Sequence, residues 1–225
     1  MPRPPAALPR RKPVVAILAD FPVWEVAPEL EQSSYWWHFS VWLSELRQTL
    51  EEQDEYEIHW ILLDKRPASP MEIVQGKQTF HILPRARLMI GLSTLYAHDR
   101  LAVRRLLRSL RPDIVHAWGT EDCHALCGAD FPGRKILSIQ GLLNTCCRRA
   151  PGARFARLHR FYEPGAIRAY RWVTTESPWA ATRVQELVPT CKPVLLEYAV
   201  EQRLFDVQRT LSQDPVCLYV GTDSS

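Results

Sequence analysis

His116, Trp118, Gly119, Thr120 and Glu121 lie together in one stretch, RPDIVHAWGTEDCHAL, from Arg111 to Leu126. An imidazole holds or passes a proton near neutral pH, and a carboxylate accepts one. A glycine lets the backbone turn where other residues are strained. Together these make a candidate working surface for a polar ligand, with His116 and Glu121 as the pair able to do chemistry. Each also has a structural role to offer. His116 suits a hydrogen-bonded position in a sheet, Trp118 suits packing, and Glu121 suits the positive end of the helix that follows, worth ~0.3–1 kcal/mol.

The elements around this stretch must put it at an edge. Ile114 to Trp118 is a short apolar run, read as a buried strand, with Gly119-Thr120 as the loop at its carboxyl end. Pro13 to Asp20 is a similar run closed by an acid. Tyr56 to Leu63, Phe80 to Leu83, Lys135 to Ile139, Arg171 to Thr175 and Pro193 to Leu196 read as further strands. A turn-rich insert separates Tyr56–Leu63 from Phe80–Leu83.

Between the strands, Trp36, Phe39, Leu43, Leu46 and Leu50 fall at helical spacing in a segment from Ser34 to Gln53. Leu95 to Leu110 is a helix with Val103, Leu106, Leu107 and Leu110 inward, stopped by Pro112. Residues 153–170 read as a helix interrupted near Pro164-Gly165. Ser177-Pro178 is an N-cap followed by proline at the first helical position, opening a helix through Leu187.

Strands alternating with helices predict an α/β, doubly wound, mostly parallel sheet of Rossmann type. In such sheets ligands bind outside the carboxyl ends of the strands. Residues 1–12 are expected to be a disordered basic, proline-rich tail and 13–212 the sheet domain. Residues 213–225, with the apolar run Val216 to Gly221, are expected to open a truncated second domain.

At 46% hydrophobic and 24% charged, the chain of 225 residues can bury a substantial core. No apolar stretch reaches the ~18–20 residues that span a bilayer, and the start lacks the apolar region of a signal peptide. A cytoplasmic protein is expected. A net charge of +3 is too small to imply nucleic acid, and no recognised binding module accompanies it. The arginines are clustered, however. Arg100, Arg104 and Arg108 share one face of the helix Asp99–Leu110, and Arg154 and Arg157 stand in a stretch from Arg148 to Arg171 whose single acid is Glu163. Both groups suit an anionic ligand or the periphery of an anionic membrane, and both also suit an ordinary solvated surface. The cysteines are Cys123, Cys127, Cys146, Cys147, Cys191 and Cys217. Their spacing lacks a second paired knuckle, so free thiols are expected and no metal.

Several reaction classes are excluded by pattern. The sequence has no P-loop and no G-x-S-x-G nucleophile elbow, and the loop after the first strand, Asp20-Phe21-Pro22-Val23-Trp24-Glu25, has no dinucleotide-binding glycines. The order PVVAILAD, RPDIVHAWGTED, KILSIQGLL, RWVTTESPWAATRV, KPVLLEYAVEQRLFD, PVCLYVGTDSS resembles the group 1 (family 4) glycosyltransferases from Pro13 to Ser225. That resemblance implies a retaining enzyme of GT-B arrangement, two Rossmann-like domains facing each other across a cleft. This chain would be the N-terminal, acceptor-side half.

It implies no cofactor and no metal. A nucleotide-sugar serves as co-substrate, held mainly by a second domain with a glutamate pair, and the acceptor is a saccharide or lipid-linked. Strand-end residues His116 to Glu121, with Trp118, Gly119 and Thr120 on the acceptor side, would line the cleft. Gln140 and Gly141 would form the neighbouring loop, and Ser177 would offer a helix terminus. Asp20, Phe21 and Pro22 would stand nearest the donor, where many members carry glycines. A stand-alone module binding an anionic ligand or membrane surface without catalysis is the alternative.

Overall fold

A computed structural model describes residues 11–30, 42–120, 122–146, 154–197 and 206. Eight strands form one sheet: β1 (Val14–Leu18), β2 (Glu57–Asp64), β3 (Met71–Gln75), β4 (Gln78–Pro84), β5 (Ile114–Trp118), β6 (Arg134–Ile139), β7 (Trp172–Thr175) and β8 (Val194–Leu195). Their spatial order is β3-β4-β2-β1-β5-β6-β7-β8. All pairs are parallel except β3 with β4. The helices are α1 (Trp42–Gln53), α2 (Leu88–Ser93), α3 (Ala97–Leu110), α4 (His124–Ala129), α5 (Leu143–Cys146), α6 (Arg154–Arg168) and α7 (Pro178–Leu187). This is the doubly wound, mostly parallel Rossmann-like fold that the alternation of strands and helices predicts.

The central strands β1, β2 and β5 are largely apolar because both faces of the sheet are covered there. Ala16, Leu18, Ile61, Val115, Ala117, Leu137 and Val173 point to one face. There they pack with Val103 and Leu107 of α3, Ala125 and Cys127 of α4, Ile167 of α6 and Val184 of α7. Ile17, Trp60, Leu62, Phe80 and Ile82 point to the other, against Leu43, Leu46 and Leu50 of α1. One residue of slip in any strand would exchange the two sets, so burial on both sides sets the register. Trp60 Nε1 donates to Gln78 Oε1 (2.6 Å), and Gln78 Nε2 donates to the Arg47 carbonyl (2.8 Å), tying β2, β4 and α1 through buried polar groups.

Three features depart from the expected elements. The insert after β2 contains β3, an antiparallel edge strand that alternates half-buried and exposed residues and turns into β4 at Gly76, whose φ is +61°. The alternation Met71, Ile73, Gln75 is the period-two signal of such a strand. A short helix, α2, precedes α3. Finally, α6 runs unbroken through Pro164. Proline there has no N–H to give the Arg160 carbonyl one turn back. Asn144 Nδ2 donates to that carbonyl instead (2.9 Å), so the missing bond is supplied from another element.

The Ser177-Pro178 signal is borne out. Ser177 Oγ accepts from the Ala180 N–H (3.2 Å), and Pro178 occupies the first turn of α7. Ser177→Ala is expected to cost about 1 kcal/mol in denaturant unfolding. A value near zero would mean that water replaces the cap. Cys123, Cys127 and Cys191 are free thiols. The expected opening strand of a second domain, Arg148, and Trp36 and Phe39 of the expected helix lie outside the described residues.

Candidate functional site at the carboxyl edge of the sheet

The chain winds outward from β1 through β2 to β4 on one side, then from β5 through β6 and β7 on the other. The direction reverses between β1 and β5. The crevice outside the carboxyl ends of two such strands is where open α/β sheets take ligands. The loops that leave those ends are Ala19 to Pro22 after β1 and Gly119-Thr120 after β5. Gly119 makes the second loop turn at once: its φ is +80°, while its N–H donates to the Ser138 carbonyl (2.8 Å). A side chain at that φ would be strained.

The loop beyond Gly119 is held by a buried carboxylate. Glu163 of α6 is 2% exposed. Its Oε1 accepts from Thr120 Oγ1 (2.6 Å) and the Leu143 N–H (2.8 Å). Its Oε2 accepts from the Asn144 N–H (2.9 Å) and Asn144 Nδ2 (2.7 Å). Thr120 Oγ1 also lies 3.1 Å from the Gly141 carbonyl. One carboxylate therefore locks the loop after β5 to the loop after β6, and closes the N-terminus of α5. Fully satisfied, a buried carboxylate rigidifies; with partners missing it is costly.

A second tie joins the ends of β4 and β5. Arg85 and Asp122 form a partly buried ion pair, and Asp122 Oδ1 also accepts from the Cys123 N–H (2.7 Å). Burial alone would lower the Arg85 pKa; the Asp122 carboxylate outweighs it and the guanidinium stays charged. At the end of β2, Arg66 Nε donates to Asp64 Oδ1 (2.8 Å). Burial would raise that carboxyl, but the Arg66 hydrogen bonds hold it below its usual range.

The structure places the predicted residues unevenly. Asp20 is exposed at the end of β1, and its charge reaches the Asp64–Arg66 pair. Phe21, next to it, is turned into the core at 1% exposure, its ring 5.1 Å from Trp60 and 5.5 Å from Phe80. Pro22 is buried as well. Trp118 is buried between the rings of His116 and Trp42, each at 4.6 Å. Gly119 and Thr120 form the locked loop, and Gln140 and Gly141 are half-buried beside it. Ser177 stands at the edge of β7, its oxygen engaged in the cap. Glu121 lies outside the described residues.

His116 is mid-strand rather than at the edge. Its Nε2 lies 2.8 Å from Ser138 Oγ, which lies 2.8 Å from Thr174 Oγ1, a polar chain across β5, β6 and β7. Protein crowds the ring although the residue keeps some solvent contact. Burial pushes its pKa down to about 4, so the imidazole is neutral at pH 7.

The arginines divide. Arg100 makes two hydrogen bonds to Asp130 (2.7 and 2.6 Å). Arg104 and Arg108 are exposed and, with Arg111, line a cleft of about 320 Å³ over Leu107 and Phe131. That cleft is at the opposite, amino edge, where α3 leads into β5. Arg154 and Arg157 belong to α6. Among the described residues no helix is long and apolar enough to cross a membrane, and no group of three or more His, Cys, Asp or Glu could hold a metal ion.

Sequence reasoning missed Glu163, Asn144 and Arg85 as builders of the site. The one available signal was Glu163 as the lone acid in an arginine-rich segment.

No protein-family model and no curated protein matches the sequence. Solved structures do match. The sucrose-phosphate synthase of Thermosynechococcus elongatus superposes with a TM-score of 0.61 at 12% identity, over 83% of this chain and 48% of that one. The likeness establishes the fold. The alpha,alpha-trehalose 6-phosphate synthase of Burkholderia multivorans matches at a TM-score of 0.46 and 11% identity, over 79% of this chain and 42% of that one. This chain thus spans about half the length of the structures it matches.

Proposed function

We propose that this chain is the acceptor-side domain of a family 4 glycosyltransferase, moving a hexose from a nucleotide-sugar to a saccharide or lipid-linked acceptor with retention of configuration. The observation that carries the reading is the pair of loops locked together beside the strand reversal, in a fold shared with a sucrose-phosphate synthase. Thr120, Gln140, Gly141 and Ser177 position the acceptor, and Asp20 stands toward the donor. Glu121 is the candidate carboxylate for proton transfer. His116, neutral and hydrogen-bonded to Ser138, supports the wall from beneath and offers a hydrogen bond rather than a positive charge. No metal or cofactor enters. Charge on the leaving phosphates is stabilised mainly by a second domain, the larger electrostatic contribution to such a reaction.

The test is transfer by the full-length protein across a panel of nucleotide-sugars and acceptors, with the product's anomeric configuration read by NMR. Transfer with retention is expected, and none from the 225-residue chain by itself. Inversion, or robust turnover by the short chain, overturns the assignment. The arginine-lined cleft at the amino edge favours a second reading, an anion- or membrane-binding module. Binding to anionic vesicles with no transfer from any donor would select it.

A further inference from the structure

The first turn of α7 carries a tryptophan that the core does not use. Trp179 is 54% exposed, although it directly follows the Ser177-Pro178 start of the helix. Arg183 is four residues further on, the same face one turn later, and Glu186 is three beyond that. This stripe is one wall of a cavity of about 310 Å³, also lined by Leu142 and by Asn144 and Thr145 of α5. The size is at the lower end of the ~300–1,000 Å³ usual for small-ligand sites.

The two walls differ in rigidity. Asn144 is fixed by Glu163 and the Arg160 carbonyl, with both hydrogens of its side-chain amide engaged. That leaves Oδ1 as the atom with capacity to accept from a ligand. The α7 wall is adaptable, since Arg183 and Glu186 are both exposed side chains, paired at 2.5 Å, with the guanidinium 5.7 Å from the Trp179 ring centre.

The chemistry on offer is specific. An exposed indole presents a flat, electron-rich apolar face. Beside it are donors from Arg183, acceptors from Glu186 and Asn144, and the Thr145 hydroxyl, which both donates and accepts. A pyranose ring has the complementary surface: one face of C–H bonds and a rim of hydroxyls that each donate and accept. Charge narrows the choice further. Among the described residues, one guanidinium and one carboxylate line the cavity, and these two offset each other. A phosphate or carboxylate would have to compete with Glu186 for the Arg183 guanidinium.

We propose that the cavity between Trp179 and Asn144 is a binding subsite for an uncharged hexopyranose unit, stacked on the Trp179 ring and hydrogen-bonded by Arg183, Glu186 and Asn144. Its Leu142-Asn144-Thr145 wall directly follows Gln140 and Gly141 in the chain. Within the glycosyltransferase reading, on which this part rests, it holds a neutral sugar of the acceptor.

The experiment titrates full-length protein with the methyl hexopyranosides of glucose, galactose and mannose, read by saturation-transfer NMR and indole fluorescence, with inorganic phosphate as the anionic probe. At least one hexoside is expected to bind with a Kd of ~1–10 mM, weakened about tenfold by Trp179→Ala and largely retained by Trp179→Phe. Phosphate is expected not to compete. Trp179 is exposed, so circular dichroism of both variants should match the wild type, and Arg183→Met provides an independent loss of binding. Absence of binding by every hexoside, equal binding by Trp179→Ala, or preference for phosphate overturns the subsite. Hexoside binding without transfer would retain the subsite and remove the enzymatic reading. Transfer with an acceptor KM unmoved by Trp179→Ala would do the reverse.

Discussion

Glu163→Ala is expected to lower the free energy of unfolding by about 4 kcal/mol, among the larger effects of a single substitution. The carboxylate accepts four hydrogen bonds, from Thr120, Leu143 and Asn144 twice, and is almost wholly enclosed. Alanine leaves those donors facing a void. Thr120 can turn its hydroxyl to the Gly141 carbonyl at 3.1 Å, but two backbone N–H groups and one amide hydrogen have no such second choice. Glu163→Gln is expected to cost about half as much. Its carbonyl oxygen can take the Asn144 pair, while its amide nitrogen meets Thr120, whose hydroxyl can accept, and the Leu143 N–H, which cannot. The measurement is the urea midpoint at unchanged slope, with amide exchange at Leu143 and Asn144 as the local readout. An alanine variant within 1 kcal/mol of wild type would show that the lock is dispensable. A stable variant with faster exchange at those two amides and weakened acceptor binding would tie the lock to the site itself.

Between pH 6.5 and 4 the protein is expected to lose roughly 3 kcal/mol of stability through His116 alone. The folded pKa is about 4, against an ordinary value of 6.5, because burial disfavours the imidazolium. The unfolded chain therefore binds the proton first as pH falls. Stability from the neutral ring is complete above about 6.5, and declines by about 1.4 kcal/mol per pH unit until the folded protein also protonates near 4. His116→Phe keeps a ring against Trp118 and leaves Ser138 its bond to Thr174. The stability difference between wild type and this variant should follow that slope. A pH-independent difference, or an imidazole NMR resonance titrating near 6.5, would place His116 in contact with water and restore it as a candidate proton carrier at neutral pH.

Much of the architecture is legible in the residues themselves. Strands covered on both faces are apolar at most positions, so Val14–Leu18, Ile114–Trp118 and the Ile136–Ile139 part of β6 stand out as short runs, and their alternation with helices implies a parallel sheet. Ser177-Pro178 announces its helix because the cap is a local hydrogen bond. The edge strand β3 escapes that reading because half its residues face away from the core, and only a weak alternation marks it. Pro164 misleads for a different reason. Its missing hydrogen bond is made good by Asn144, twenty residues earlier in the chain and brought close by the return of the sheet.

The candidate site divides along the same line. That the carboxyl end of β5 is a place for chemistry follows from residue types and strand order. Which side chains are free to act there does not. Phe21 and Trp118 look available in sequence, yet the packing of α1 and β2 draws both inward. His116 looks like an acid or base, yet enclosure within the sheet holds it neutral. Glu163, by sequence a stray acid among arginines, becomes the clamp of two loops because α6 delivers it under them. Hydrogen bonds and desolvation depend on distance in space. Residues twenty to forty positions apart meet only once the sheet has closed.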